Sequence, residues 1–330
     1  MTKASSNSSD SWRALYPDCS RSLNLDGWRY HFLDSAVLAP PDGDRSQLSA
    51  GGAVSGAPAA RENSELPVIL CVHGNPTWSF YWRSIFERFS STHRVIAVDH
   101  IGCGLSDKPS QAQFNYSLAA HRDTLIRLID ELDLRRVILL AHDWGGAIGL
   151  SAAVARKQRL AGIMLLNTGA FPPPYLPWRI AACRWPVLGT LGVRGANLFA
   201  RAAVTMAMSK RQLTPAVAAG LLYPYGNWHD RVAIDAFVKD IPMSPEHPTH
   251  AVLEQLEADL SSLADLPKLL VWGMRDWCFR PECLERFLTH WPDATAVRLA
   301  DAGHYVIEDD PDATLAAIAG FLETLQAERG

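Results

Sequence analysis

The sequence predicts an α/β protein in which helices cover both faces of a mostly parallel sheet. Predicted strands and helices alternate along most of the 330 residues. The strands are short, continuous apolar runs, which is typical of central strands in a parallel sheet. They are LPVILCVHG, HRVIAVDH, RRVILLAH, LAGIMLLNT, PKLLVWG and ATAVRLAD. Such sheets bind ligands at the carboxyl ends of their strands, so the residues that directly follow these runs are candidate site residues.

Helical patterns separate the apolar runs. The predicted helices are YWRSIFERFS, LAAHRDTLIRLIDEL, GGAIGLSAAVARKQR, PECLERFLTHW and PDATLAAIAGFLETLQAE. Ahead of the first parallel strand, LNLDGWRYHFLD alternates in polarity around an Asp-Gly pair. That pattern predicts an N-terminal β-hairpin.

Three segments depart from this alternation. Residues 1–15 begin with a Ser-rich stretch, and we expect them to be disordered. Residues 35–65 are rich in Gly, Ala, Ser and Pro, which predicts a flexible surface insertion. Residues 172–248 begin with prolines, are helical in places and show no clear strand pattern, so we expect a helical cap over the sheet. The main domain then comprises residues 16–171 and 249–330.

Composition excludes several classes of function. The chain is 48% hydrophobic and 20% charged, with a formal net charge of −4 and no block of like charges. Binding to nucleic acid through phosphate contacts is therefore not expected. No apolar run is long enough for a membrane span and no signal peptide is evident, which predicts a cytoplasmic protein. The six cysteines form no CxxC pair, and no metal-ligand cluster or phosphate-binding loop is evident, so neither a metal nor an organic cofactor is expected.

The strongest candidate for chemistry is Asp143, at the end of the run RRVILLAHD. It lies in Ala141-His142-Asp143-Trp144-Gly145, which fits the pattern small–x–nucleophile–x–small of a strained strand-to-helix turn. A plainer interpretation is that Asp143 caps the following helix. A cap requires neither small residues on both sides nor a following Gly-Gly pair, so we favour the nucleophile.

A base and an acid follow in the order expected after such a nucleophile. His304 lies in DAGHYVIED, after the last predicted strand. Asp276 lies three residues after Gly273, where the preceding strand ends, and is the candidate acid that orients His304. The competing position, after LLNT, offers Asn167 and Thr168, neither of which is acidic. Surface or core roles for these polar residues are the plainer alternative.

Two further residues are candidates for binding an anion. In α/β-hydrolases, a His-Gly-x-Pro turn supplies one N–H of the oxyanion hole. Here its variable position is Asn75, whose amide can also donate, although an Asn-Pro pair is also simply a good turn. Trp144 follows the nucleophile and offers its backbone N–H and its indole N–H.

A carboxylate nucleophile indicates a particular reaction. Aspartate that attacks a saturated carbon forms an alkyl ester, and water activated by His304 can then attack the carbonyl carbon of Asp143 and free the enzyme. A serine would form an ether, which water does not readily cleave. Asp143 therefore predicts displacement at an sp³ carbon with departure of an anion.

Five stretches together resemble the haloalkane dehalogenases of the α/β-hydrolase superfamily, from about Tyr16 to the C-terminus. They are HGNPTWSFYWR, DHIGCGLSDKP, HDWGGAIG, WGMRDWCF and DAGHYVIED. The resemblance implies an α/β-hydrolase fold with an inserted helical cap. It also implies that Asp143 is the nucleophile, His304 the base and Asp276 the acid. Asn75 and Trp144 would then bind the leaving anion.

A narrower resemblance concerns DHIGCGLSDKP, CRWPVLGTLGVRGANLFARAA and DIPMSPEHPTH. These stretches are similar to the β-lactone decarboxylases of bacterial long-chain olefin biosynthesis. The resemblance implies conversion of a cis-β-lactone with two alkyl arms into a cis-alkene and CO2, with other enzymes of an olefin-forming pathway as partners. It leaves open whether Asp143 attacks the alkyl or the carbonyl carbon. Several apolar cap residues fit a hydrophobic substrate, although packing alone also explains such residues: Leu191, Val193, Leu198, Phe199, Val204, Met206 and Met208.

Three alternatives stay open at this point. The chain could be a haloalkane dehalogenase that releases an alcohol and a halide. It could be an epoxide hydrolase with Tyr223 and Tyr225 polarising the epoxide, although Asn75 disfavours this because epoxide opening expels no separate anion. It could also be an inert binding protein, although the intact nucleophile, acid and base argue against that.

Overall fold

An eight-stranded sheet forms the centre of the computed structural model, which describes residues 8–37 and 67–327. The strand order is β1-β2-β4-β3-β5-β6-β7-β8. The pairs β1/β2 and β2/β4 are antiparallel and all other pairs are parallel. The strands are β1 (Ser20–Leu25), β2 (Trp28–Asp34), β3 (Val68–Val72), β4 (Arg94–Val98), β5 (Val137–Asp143), β6 (Leu160–Thr168), β7 (Lys268–Gly273) and β8 (Thr295–Leu299). The predicted hairpin and the six predicted parallel strands are thus all present.

Twelve α-helices occur in the described residues. They are α1 (Arg83–Phe89), α2 (Leu118–Glu131), α3 (Trp144–Ala155), α4 (Trp178–Cys183), α5 (Leu188–Thr190), α6 (Leu198–Met206), α7 (Pro215–Leu222), α8 (Val232–Asp240), α9 (Pro248–Asp259), α10 (Pro281–His290), α11 (Val306–Asp309) and α12 (Pro311–Ala327). A π-helical turn, Leu191–Gly195, follows α5 directly. The α/β fold class is confirmed.

The alternation of side chains along β3 explains how the sheet acquires two cores. Leu70 and Val72 belong to one buried cluster, which includes residues of α2, α3 and α10. Ile69 and Cys71 point to the opposite face and belong to a second cluster, with residues of α1 and α12. Because successive side chains of a strand face opposite sides, one fully apolar run supplies both clusters.

Helices α4 to α8 lie between β6 and β7 in the chain, and this described stretch contains no strand. It covers most of residues 172–248, which we call the cap. Several of its residues line a cavity together with the carboxyl ends of β5 and β6. The insertion therefore sits where α/β sheets bind their ligands.

The N-terminus differs in part from the expected disorder. Residues 1–7 lie outside the described residues, but Ser8–Leu15 forms a 3₁₀ helix, so disorder is wrong for that part. The physical reason is Trp12, which is buried and packs edge-on against Trp78 and Phe80, each with a centroid distance of 5.9 Å. One large aromatic side chain thus orders a segment of otherwise polar composition.

The predicted flexible insertion, residues 35–65, lies almost wholly outside the described residues. Its first three residues, Ser35–Val37, form a short 3₁₀ turn. Among the described helices, none combines the length and the apolar character needed to cross a bilayer.

Candidate active site

Asp143 lies at a strained turn between β5 and α3. Its backbone has φ 54° and ψ −131°, a region that non-glycine residues rarely adopt. The two residues after Trp144 must be glycines because there is no room for a side chain. A Cβ on Gly145 would overlap the backbone oxygen of Val72, and a Cβ on Gly146 would overlap the Thr168 hydroxyl. The Asp143 side chain makes no hydrogen bond that caps α3. The plainer role as a helix cap is therefore wrong.

The two oxygens of the Asp143 carboxylate have different partners. The backbone N–H of Asn75 donates to Oδ1 at 2.6 Å, and the backbone N–H of Trp144 also donates to this carboxylate. A Cβ on Gly74 would overlap Oδ1, so only glycine allows this approach. Oδ2 lies 3.6 Å from Nε2 of His304. Oδ1 is thus held by the Asn75 amide while Oδ2 faces the histidine.

His304 is oriented by Asp276. Its Nδ1 lies 2.8 Å from Oδ2 of Asp276, and both side chains are buried. The other oxygen of Asp276 accepts the backbone N–H of Cys278 at 2.6 Å. The three side chains predicted as nucleophile, base and acid therefore lie in one row, with a hydrogen bond between His304 and Asp276 and a distance of 3.6 Å between His304 and Asp143, although β5 and two loops supply them separately.

Charge and burial set the protonation of this row. Burial alone would raise the pKa of Asp143, but the hydrogen bond and positive charge of His304 lower it below its ordinary value. Burial would lower the pKa of His304, but the negative charges and hydrogen bonds of Asp276 and Asp143 raise it to about 10. At neutral pH the row therefore pairs the Asp143 carboxylate with a His304 imidazolium.

Asn75 and Trp144 both line the cavity beside Asp143. The Asn75 side-chain amide donates to the backbone oxygen of Ile234 at 3.2 Å, which fixes its orientation and leaves its second hydrogen available. The backbone N–H of Asn75, however, donates to the Asp143 carboxylate. That N–H would stabilise negative charge on Oδ1 when the carbonyl carbon of an Asp143 ester is attacked.

A cavity of about 510 Å³ opens onto these residues. Its walls are largely apolar, and both the cap and the main domain supply them. Of the apolar cap residues singled out from the sequence, Val193, Leu198, Phe199 and Met206 line it, whereas Leu191, Val204 and Met208 do not.

The two tyrosines considered for epoxide opening lie elsewhere. Tyr225 is buried and donates its hydroxyl to the backbone oxygen of Thr77, and the hydroxyl of Tyr223 accepts from Arg13. Neither lines the cavity. The two tyrosines named for the epoxide-hydrolase alternative are therefore not placed to polarise an epoxide.

Two positioning residues were not assigned a role from the sequence. Nδ2 of Asn167 donates to Oδ2 of Asp276 at 2.9 Å, and its Oδ1 accepts the backbone N–H of Gly273 at 2.7 Å. The hydroxyl of Thr168 donates to the backbone oxygen of Asp143. Their place at the end of β6, beside the ends of β5 and β7, is the signal that could have identified them.

His142 is a third such residue. Its Nε2 donates to the backbone oxygen of His304 at 3.0 Å, which ties the base to the strand that carries the nucleophile. Burial, followed by the charge of His304, lowers the pKa of His142 to about 3, so it stays neutral. Its position next to Asp143 in the sequence carried no hint of this contact.

Comparison with known proteins places this geometry in a family. Residues 67–311 match the model of the alpha/beta hydrolase fold. Two similar curated proteins are cis-3-alkyl-4-alkyloxetan-2-one decarboxylases. The one from Shewanella oneidensis is 36% identical over 79% of this chain and 84% of its own length. The one from Xanthomonas campestris pv. campestris is 38% identical over 79% of this chain and 89% of its own length.

A solved structure, the haloalkane dehalogenase DbeA from Bradyrhizobium elkani, superposes with a TM-score of 0.78 at 23% identity, covering 94% of this chain and 99% of that one. At this identity the likeness concerns the fold. Taken with the family match and the two closer relatives, it leads to one conclusion. The chain belongs to the α/β-hydrolase family of enzymes, and its relatives above 30% identity include, besides the two decarboxylases, a haloalkane dehalogenase from Mycobacterium tuberculosis that is 32% identical over 78% of this chain and 88% of its own length.

Proposed function

We propose that this protein converts a cis-3,4-dialkyl oxetan-2-one, a β-lactone, into a cis-alkene and CO2, with Asp143 as the nucleophile. The observation that carries the proposal is the identity of 36% and 38% to two decarboxylases named for that substrate. It is supported by a carboxylate nucleophile at the floor of an apolar cavity. The same observation favours the lactone over a haloalkane as the substrate.

The chemistry of the ring suggests where Asp143 attacks. If Oδ2 attacks the alkyl carbon C4, a bond from Oδ2 to C4 forms, the bond from C4 to the ring oxygen breaks, and a carboxylate is released that stays attached to C3. The bond between C3 and that carboxylate then breaks as CO2, its electron pair forms the C3=C4 double bond, and Asp143 leaves with the electrons of its ester bond. All atoms of the lactone end in the alkene and CO2, and no water is consumed.

Stereochemistry agrees with this two-step route. Displacement at C4 inverts that carbon, and anti elimination from the resulting ester then gives the same double-bond geometry as loss of CO2 from one face of the ring. A cis-lactone therefore yields a cis-alkene. The route requires Asp143 to be both a nucleophile and a leaving group.

The site geometry suits a carboxylate in both roles. The Asn75 N–H at 2.6 Å from Oδ1 and the Trp144 N–H stabilise the charged form, as does His304. A carboxylate with a lowered pKa departs readily from an ester. The donors that hold the resting nucleophile thus also favour its release.

Asn75 and Trp144 are proposed to bind the carboxylate exposed by ring opening. The Asn75 amide and the Trp144 indole can each donate one hydrogen bond, and both residues line the cavity. His304, held by Asp276, is proposed to keep Asp143 ionised during decarboxylation. With a haloalkane, the same histidine would instead have to activate water against the ester.

The proposal extends to the cellular setting. We expect the protein in the cytoplasm, and we expect its partners to include the enzyme that closes the β-lactone ring from a 3-hydroxy acid. A reaction that forms such a ring must precede this one, because the proposed substrate is a strained four-membered lactone.

One experiment tests the substrate directly. Purified protein is supplied with a long-chain cis-dialkyl β-lactone and, separately, with a panel of haloalkanes, while alkene, CO2 and halide are measured. We expect alkene and CO2 in equal amounts from the lactone. Asp143→Ala should lower this activity by at least about 10⁴-fold, because the covalent step is lost. Halide release without any alkene from the lactone would overturn the proposal.

A further inference from the structure

Exposed apolar side chains are concentrated in one segment of the cap, and some of them also line the cavity. More than half of the large apolar side chains that are exposed among the described residues lie between residues 178 and 198. They are Trp178, Trp185, Val187, Leu188, Leu191 and Leu198, which we call the apolar face. Val187 is 70% exposed and Trp185 60%. Exposed apolar side chains concentrated in one short segment indicate an interaction site, because exposed apolar residues are otherwise scattered singly over a protein surface.

This face is continuous with the catalytic cavity. Three of its residues, Trp178, Leu188 and Leu198, are exposed to solvent and also line the cavity that ends at Asp143. An apolar path therefore leads from the protein surface to the nucleophile. The other three residues, Trp185, Val187 and Leu191, are exposed without lining the cavity. These three have no evident role in holding a substrate.

The charge of the cap differs from that of the whole chain. Residues 172–248 contain eight Arg and Lys but only four Asp and Glu, whereas the whole chain has a net charge of −4. The four acidic residues all follow residue 229, so the stretch that carries the apolar face contains only basic charges. Lys210 pairs with Asp310. Arg179 and Arg194 instead lie over the rings of Trp178 and Trp228, at 5.0 and 4.7 Å from the ring centroids. The cap that carries the apolar face therefore has a net positive charge.

We propose that the apolar face docks on the surface of a lipid bilayer that contains anionic lipids, and that apolar substrate enters the cavity from that bilayer. Tryptophan beside arginine is favoured at the boundary between headgroups and acyl chains. Each basic residue near such a surface contributes an attraction that falls off within a Debye length. Apolar side chains that insert below the headgroups add hydrophobic burial.

Charge argues against a second copy of this chain as the occupant. A symmetric dimer would pair identical patches, which would bring Arg179 and Arg194 of each copy towards the same basic side chains of the other. Like charges at the margin of an interface oppose association. The headgroups of an anionic bilayer carry the opposite charge and would attract the same arginines. The cavity would then open towards the acyl chains of the bilayer.

Vesicle binding by the full-length protein tests this proposal. Protein is mixed with vesicles of phosphatidylcholine alone, or of phosphatidylcholine with phosphatidylglycerol, and the bound fraction is measured by flotation at low and high NaCl. We expect binding to the anionic vesicles, weakening as salt rises. The variant Trp185→Ser/Val187→Ser/Leu191→Ser should bind at least about tenfold more weakly, because three insertable side chains are lost.

Two controls make the result specific. Leu15→Ser/Val37→Ser changes exposed apolar residues outside the cap and should bind vesicles like the wild type. With a short-chain, water-soluble lactone, the triple variant should turn over at the wild-type rate, since its changed residues do not line the cavity. Binding itself is measured without substrate, so its outcome does not depend on the proposed decarboxylation.

Absence of wild-type binding to anionic vesicles at low salt would overturn the proposal. Binding of the triple variant to anionic vesicles that equals wild-type binding would also overturn it. A wild-type dimer that the triple substitution converts to a monomer, without any vesicle binding, would assign the apolar face to a second copy instead.

Discussion

The two oxygens of the Asp143 carboxylate have different contacts. Oδ1 accepts a backbone N–H at 2.6 Å from Asn75, whereas Oδ2 lies 3.6 Å from His304. The negative charge of Asp143 also helps to raise the pKa of His304 to about 10. An ester on Asp143 carries no charge. Formation of that ester should therefore lower the pKa of His304, and departure of the Asp143 carboxylate should raise it again.

The variant Asp143→Asn tests this coupling because the amide mimics the uncharged ester. We expect the pKa of His304 to fall, since burial and Asp276 remain while one raising partner is lost. Ring nitrogen chemical shifts followed by NMR across pH measure it. Asp301→Asn is the matched control, because it removes an equal charge from a side chain that is 64% exposed. An unchanged titration of His304 in Asp143→Asn would refute the coupling.

At the scale of elements, the site is built where strands β3, β5, β6 and β7 end side by side. Each strand end delivers one part: Gly74 and Asn75 follow β3, Asp143 closes β5, and Asn167 lies at the end of β6. The loop after β7 adds Asp276. Close approach between these ends is possible because a glycine stands where any side chain would collide with the nucleophile.

Gly74→Ala should therefore disable the enzyme without unfolding it. The added methyl group would overlap Oδ1 of Asp143 and displace the nucleophile, which we expect to lower turnover by at least about 100-fold. Gly320→Ala in α12 is the control, since nothing lies within 4 Å of its added Cβ. It should keep full activity and raise stability by about 0.5–1 kcal/mol. Full activity of Gly74→Ala would show that the close approach is not needed.

The sequence was sufficient for the elements but not for every contact between them. Strands such as VILCV can be predicted from their fully apolar sequence, because both faces of a parallel sheet are buried. That Asp143, His304 and Asp276 lie together was predictable, because their order along the chain and their places after strands are set by the fold. Asn167 was not, since its role depends on the distance to Asp276, 109 residues away in the chain. The His-Gly-x-Pro turn predicted a backbone N–H donor at Asn75, but not that this N–H contacts the Asp143 carboxylate itself, since that contact depends on the distance between the ends of β3 and β5.

At the scale of the whole molecule, the N-terminus ties the main domain to the cap. Trp12 packs between Trp78, which follows β3, and Tyr223 at the end of α7, with a ring distance of 4.3 Å to the tyrosine. A polar, Ser-rich stretch gives no pattern that predicts such an anchor, because one buried aromatic residue creates no periodicity. The anchor joins the two parts of the molecule that enclose the cavity.

Trp12→Ala should lower the free energy of unfolding by about 3–5 kcal/mol, the usual cost of emptying a buried aromatic site. Chemical denaturation measures the change. Trp185→Ala is the matched control, because Trp185 is 60% exposed and its loss should cost less than about 0.5 kcal/mol. Equal effects of the two substitutions would mean that the N-terminal helix does not stabilise the molecule.

The central claim is that Asp143 becomes covalently bonded to the substrate. A single turnover with a cis-dialkyl β-lactone, quenched in acid at successive times and followed by peptide mass mapping, tests it most directly. We predict that the peptide containing Asp143 gains the mass of the whole lactone before alkene appears, and that this adduct then decays as CO2 is released. Alkene formation at the full rate, with no adduct on Asp143 at any time, would contradict the account.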